Sequence, residues 1–257
     1  MSNPYLPPEI LDYIVDLLHD NPKALKECCL VSKPWIPRTR KHLFAHIEFR
    51  TARSLQSWQK TFPDPSSSPA YYTHTLICSQ ATNAVDTGAG SWIKGFSRVV
   101  HFDVSPPWPS SGKSMDSFVP FHGFSPVKSL RATFTVLLSS QLFNLILSFP
   151  LLEDLTVITH LGGLISDKVD IVAWHSNPLM FTGTLELSME GGLEFITHRL
   201  LSLPGRIRFR KFSIKWLREK DTSLTTALLE GCSRTLESLE IACNLDGLSV
   251  RHLCLRR

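Results

Sequence analysis

The chain has 257 residues and a mass of 29.0 kDa, room for one large domain or two small ones with a core that needs no covalent staples. Hydrophobic residues make up 43% and charged residues 19%, which excludes intrinsic disorder and leaves less charge than usual to cover the surface, so a partner is expected to hide part of it. A net charge of +4 is too small an excess for a dedicated nucleic-acid or membrane-surface protein, and no apolar run approaches the roughly 20 residues of a membrane span.

The N-terminus, MSNPYLPPEILDYIVDLL, carries acids inside its apolar run and no basic leader, so no signal peptide is expected. Pro7 and Pro8 suit a first helical turn, where a missing N–H costs nothing, and Glu9 complements the positive end of the helix. On a helical wheel, Ile10, Leu11, Tyr13, Ile14, Val15, Leu17 and Leu18 fill an arc of about 200°. One packing face needs only a little over 100°, so this helix has apolar surface for two neighbours. Asn21-Pro22 restarts the chain as N-cap and first-turn proline of a second helix, with Ala24, Leu25, Cys28 and Cys29 at helical spacing. Ser32 is a candidate cap for a third helix carrying Trp35, Ile36, Leu43 and Phe44, and Pro37 is expected to kink or delay it. Three short helices in about 45 residues rarely hold together alone. Size and arc width together point to a module made to dock, the alternative being that Leu6, Ile10, Ile14 and Leu17 form a core against the rest of the chain.

From residue 47 the pattern changes to short alternating strands. The candidates are 46–49, 75–78, 99–102, 129–132, 154–157, 184–187, 211–214 and 238–241. Their first inward residues are expected at 47, 76, 100, 130, 155, 185, 212 and 239, giving spacings of 29, 24, 30, 25, 30, 27 and 27. Near-constant spacing in the twenties is the signature of a leucine-rich-repeat solenoid, here degenerate, because each strand carries only one or two anchors. Helical segments are expected at Ser139–Phe149, Leu193–Leu203 and Thr222–Cys232, forming an outer layer against a parallel sheet. The Ser/Pro-rich pieces Pro63–Pro69 and Ser105–Gly112 read as loops. The alternative is a parallel α/β domain that is not a solenoid. VRHLCLRR ends the sequence without a polar capping repeat, so Leu253 and Leu255 are expected to cover the end of the array unless the array continues.

Catalytic signatures fail on inspection. Gly112-Lys113-Ser114 resembles the end of a phosphate-binding loop, but the required glycine five residues earlier is Pro107. Gly88-Ala89-Gly90 lacks the third glycine of a dinucleotide fingerprint. The ten histidines offer no HExxH and no metal-ligand spacing with cysteine, and no Gly-x-Ser-x-Gly elbow exists. No enzyme activity, metal or cofactor is expected. Cys28, Cys29, Cys78, Cys232, Cys243 and Cys254 contain no CxxC pair and read as reduced thiols of a cytoplasmic or nuclear protein, with disulfides or metal as the alternative. Basic residues cluster at Lys33, Arg38, Arg40 and Lys41, and again at Arg206, Arg208, Arg210, Lys211, Lys215, Arg218 and Lys220. Each cluster is a solvated face or a site for an anionic target.

Leu6-Pro7-x-Glu9-Ile10, then Ile14, Leu17-Leu18, Leu25, Cys28 to Val31, Ser32-Lys33-x-Trp35 and Leu43-Phe44 resemble an F-box. The match covers about 40 residues, and the run from Trp35 to Phe44 resembles F-box-like proteins of mushroom-forming fungi. Pro37 and the short stretch between Leu18 and Leu25 depart from the family pattern. The resemblance implies an α/β chain with a three-helix F-box over 1–46 and a degenerate leucine-rich-repeat solenoid over 47–257. It further implies a substrate-recognition subunit of a cullin–RING ubiquitin ligase that docks a Skp-family adaptor, and through it a cullin. Leu6, Pro7, Ile10, Ile14 and Leu17 are the implied adaptor contacts, with Trp35 bracing the helices. Alternation along the strands selects Glu48, Ile77, His101, Arg131, Thr156, Glu186, Lys215 and Glu240 as outward side chains for an unknown protein substrate. The runners-up are a repeat scaffold that never joins a ligase and a hydrolase or transferase whose nucleophile and base meet only in space.

Overall fold

The computed structural model describes residues 7–79, 95–105, 126–165, 181–203, 207–245, 248–249 and 253–256. Leu6, Arg206, the glycines at 88 and 90, residues 106–112 and the Gly112-Lys113-Ser114 motif lie outside them.

Helices α1 (Pro8–Leu17), α2 (Pro22–Val31) and α3 (Ile36–Leu43) form the N-terminal part. Pro8 occupies the first turn of α1. The Asn21 side chain caps α2 by accepting from the Ala24 N–H at 3.1 Å, with Pro22 in the first turn. Before α3 the chain makes a 3₁₀ turn at Lys33–Trp35. This turn corrects one expectation and fits another. The Ser32 side chain caps nothing; its carbonyl accepts from the Trp35 N–H at 3.1 Å instead. The α-helix starts only at Ile36, later than a Ser32 cap would set it, and Pro37 falls within its first turn, where a missing N–H costs nothing. Val15, Leu25, Cys28 and Thr39 are buried between these helices.

Strands β1 (His46–Phe49), β2 (Thr75–Ser79), β3 (His101–Ser105), β4 (Ser129–Leu138), β5 (Asp154–Ile165), β6 (Thr184–Ser188), β7 (Lys211–Leu217) and β8 (Ser238–Leu245) follow. They lie side by side in chain order, every neighbouring pair parallel. β9 (Leu248–Ser249) and β10 (Leu253–Arg256) pair antiparallel with β8, and β10 sets Leu253 and Leu255 opposite Ile241 and Leu239. Helices α4 (Ala52–Thr61), α5 (Ser139–Leu147), α6 (Leu193–Leu201) and α7 (Thr222–Cys232) precede β2, β5, β7 and β8. Helix α4 was missing from the sequence analysis; its signals are the Thr51–Ser54 capping box and the spacing of Ala52, Leu55 and Trp58.

Alternate strand residues form the core. Ile47, Leu76, Phe102, Leu130, Leu155, Leu185, Phe212 and Leu239 make one buried row in register, and Phe49, Cys78, Val104, Ala132, Val157, Leu187 and Ile214 the next. Leu142, Phe143, Ile146, Ile196, Leu200 and Leu228 of the helices are buried in the same core. The third strand lies two residues later than expected: its first inward anchor is Phe102, because the apolar pair Val99-Val100 precedes the strand instead of opening it. With that correction the anchors stand 29, 26, 28, 25, 30, 27 and 27 residues apart, a narrower spread than the sequence suggested.

The backbone repeats with the same period. The residue before each new strand donates to the carbonyl of the residue before the preceding strand, and the first residue of the new strand does so as well, except at β6, where the Thr184 N–H goes to the Asp154 carboxylate. The Ala45 carbonyl takes the N–H groups of His74 and Thr75, the His74 carbonyl those of Val100 and His101, and the Lys128 carbonyl those of Glu153 and Asp154. Arg210 likewise receives Glu237 and Ser238. Gly183 serves this geometry: a Cβ there would run into the Asp154 carboxylate, which accepts from the Thr184 N–H at 2.6 Å.

Candidate docking surfaces

The first candidate surface is on α1, and further large apolar side chains are exposed at the C-terminal end of α2. Ile10 is 45% exposed, Tyr13 62%, Leu17 65%, Leu30 87% and Val31 70%, while Val15 between them is fully buried. Large apolar side chains exposed in such number on so small a unit make it a candidate interaction site. Of the residues singled out from sequence, Pro7, Ile10 and Leu17 are exposed, and Ile14 and Trp35 are half-buried. The alternative of a core contact with the rest of the chain is overturned for Ile10 and Leu17, since a core residue would lose this exposure. Tyr13, Leu30 and Val31 were missing from the sequence prediction of this site. Tyr13 lay inside the apolar arc already drawn, and Leu30-Val31 close α2 beyond its buried Leu25 and Cys28.

The module is clasped by charge. Asp16 of α1 accepts from Arg38 Nε at 2.6 Å and from a second Arg38 nitrogen, and pairs with His42 Nε2 at 2.7 Å. These hydrogen bonds, Arg38 first and His42 second, hold the Asp16 carboxyl well below the usual carboxylate range. Arg38 is therefore committed within the fold, so it leaves the basic face proposed from sequence for the third helix.

The second surface is the face of the sheet away from the core. Glu48, Ile77, Asp103, Arg131, Thr156, Glu186, Ser213 and Glu240 stand in one continuous register row from β1 to β8. Six of these were expected from sequence. His101 belongs to the row before, beside Thr75 and Ser129, and Lys215 to the row after, beside Ser188 and Ala242. Asp103 and Ser213 take their places. Asp103 was missed because the strand was set two residues too early.

Polar groups on this face are bound to one another, across strands for Lys215–Glu186 and Ser213–Glu240 and along β1 for Arg50–Glu48. Lys215 donates to Glu186 at 2.7 Å, Ser213 to Glu240 at 3.2 Å, and Arg50 pairs with Glu48 at 2.9 Å. Arg131 stands 3.8 Å from Asp103 Oδ2, and Asp103 Oδ1 is buried without a hydrogen-bond partner. Burial pushes the Asp103 carboxyl up; the nearby Arg131 charge opposes the shift and Glu48 adds to it. Behind it, burial together with the Asp103 charge pushes the Cys78 thiol up to about 12. Cys28, Cys29, Cys78 and Cys232 are free.

At the end of β7 the alternation breaks. A bulge between Lys215 and Leu217 turns Leu217 toward the core and expels Trp216, which is 46% exposed. Trp216 carries φ 69°, the one left-handed backbone among the described non-glycine residues.

Comparison with family models, curated proteins and solved structures finds no match. Among the described residues, no helix is long and apolar enough to cross a membrane.

Proposed function

We propose that the chain is the substrate-recognition subunit of a cullin–RING ubiquitin ligase. In this reading α1–α3 are an F-box that docks a Skp-family adaptor, and β1–β8 with their helices are a degenerate leucine-rich-repeat solenoid whose open sheet face takes a protein substrate in the cytoplasm or nucleus. The chain itself breaks and makes no bonds; it raises the effective concentration of substrate lysines near a charged conjugating enzyme.

The observation that carries the reading is the exposure of Ile10, Tyr13 and Leu17 on α1, with Leu30 and Val31 exposed at the end of α2. Burying such side chains contributes roughly 1.5–3 kcal/mol each, gross, the scale needed to overcome the cost of association. The parallel order of β1–β8 and the repeating carbonyl bridges support the solenoid half of the reading.

Co-expression with a Skp-family adaptor, followed by size-exclusion chromatography with light scattering, tests it. A 1:1 complex is expected, lost in Ile10→Asp and Leu17→Asp, because each would place an unpaired carboxylate in the contact, and retained in Lys215→Ala. A monomer that ignores the adaptor overturns the ligase reading and leaves a repeat scaffold.

A further inference from the structure

Between the C-terminal ends of α6 and α7, where the chain enters β7, lies a cleft of about 640 Å³, within the range of small-molecule sites. Its apolar lining comes from Leu203 and Ile207, which are buried, and from Leu201, which is left exposed. Gly231, inside α7, completes the lining. A helical glycine costs stability relative to alanine, and neither usual reason for one applies here. The Gly231 backbone is not left-handed, and a Cβ would meet Leu201 at 3.5 Å and Ile207 at 4.0 Å, ordinary contact distances. A longer side chain at this position would extend toward Leu201 and Ile207, across the apolar lining of the cleft.

The rim is charged. Arg208 and Arg234 border it with Glu230. Nearby Arg210 is held by Glu237 at 3.8 Å, whereas Arg208 and Arg234 make no ion pair among the described residues. Ser233 and Thr235 add hydroxyls, the Thr235 one donating to the Phe209 carbonyl at 3.1 Å.

We propose that this cleft binds an amphiphilic carboxylate, its alkyl chain lying over Gly231 against Leu201 and Ile207, its charge held by Arg208 and Arg234. A guanidinium takes a carboxylate through paired N–H donors, the two arginines outnumber the one Glu230 on the rim, and Glu230 opposes the ligand, which sets the sign of one test. The site is separate from both docking surfaces and stands whether or not the ligase reading does.

Titration calorimetry of the full chain with sodium octanoate tests the site, with octyltrimethylammonium as the cationic control. Octanoate is expected to bind one saturable site, to weaken about tenfold or more in Arg208→Ala/Arg234→Ala, to be blocked in Gly231→Leu, and to tighten severalfold in Glu230→Gln. Binding is expected to be unchanged in Ile10→Asp/Leu17→Asp, which separates the cleft from the exposed face of α1. If Gly231→Leu fails to fold, the arginine variant, altered only at exposed side chains, decides. No saturable binding, binding undiminished without the two arginines, loss in the α1 variant, or a preference for the cation would each overturn the proposal.

Discussion

Asp16 and Arg38 stand 22 residues apart in sequence and meet through a paired contact that ties α1 to α3, with Arg38 Nε 2.6 Å from Asp16 Oδ1. Because the Asp16 carboxyl is held below its unfolded value, its contribution is present above about pH 4 and is lost as the pH falls through the folded-state value. Both side chains are about a third exposed, so solvent screening limits the pair to about 1 kcal/mol. Asp16→Asn is expected to lower stability by about that amount at pH 7 and to flatten the pH dependence below pH 4, as read by urea unfolding across pH. An unaltered acid limb would contradict this assignment.

Packing within the N-terminal module is separable from its open face. Leu25 is buried and Leu30 is exposed on the same helix. Leu25→Ala is expected to cost about 2–5 kcal/mol, through lost transfer energy and a cavity, while Leu30→Ala stays within about 0.5 kcal/mol. Thermal unfolding of the two variants measures the contrast. Equal losses would mean that Leu30 packs within the molecule.

The left-handed backbone at Trp216 reverses an ordinary rank order. In a strand, glycine is normally less stable than alanine by roughly 0.5–1 kcal/mol. At φ 69° a Cβ costs about 1–2 kcal/mol, so Trp216→Gly is expected to be the more stable of the pair, by a few tenths to about 1 kcal/mol. Denaturant midpoints of Trp216→Gly and Trp216→Ala decide it, and a more stable alanine variant would refute the bulge geometry.

Asp103 is a half-buried acid with an unmet acceptor. Its folded-state value is raised, so folding favours the protonated form, and stability falls as pH rises from the unfolded value near 4 through the folded one. Asp103→Asn is expected to stabilise the protein by about 1 kcal/mol at pH 7 and to remove that slope. A destabilised variant would show that the Arg131 contact outweighs the burial.

Much of this was legible because local rules and tertiary packing agree. The two prolines and Asn21 set the starts of α1 and α2, and the apolar pairs around Leu76, Leu130, Leu155, Leu185, Phe212 and Leu239 set both the strands and their inward faces. Where a segment offered two apolar choices, sequence alone chose badly. Val99-Val100 drew the third strand forward, displaced the outward residue from Asp103 to His101, and hid the unsatisfied acid. Unbroken alternation likewise predicts Trp216 inward, beside Phe212 and Ile214.

The sequence by itself determined the change from helices to strands near residue 46, the period of the array, and the inward and outward faces, since each follows from side-chain spacing along a single element. Only the tertiary structure decided which apolar residues of α1 and α2 stay uncovered, that Arg38 belongs to Asp16, that one bulge expels Trp216, and that two helix ends leave a cleft over Gly231. Each of those depends on what a neighbouring element, distant in the chain, leaves exposed, and periodicity carries no record of it.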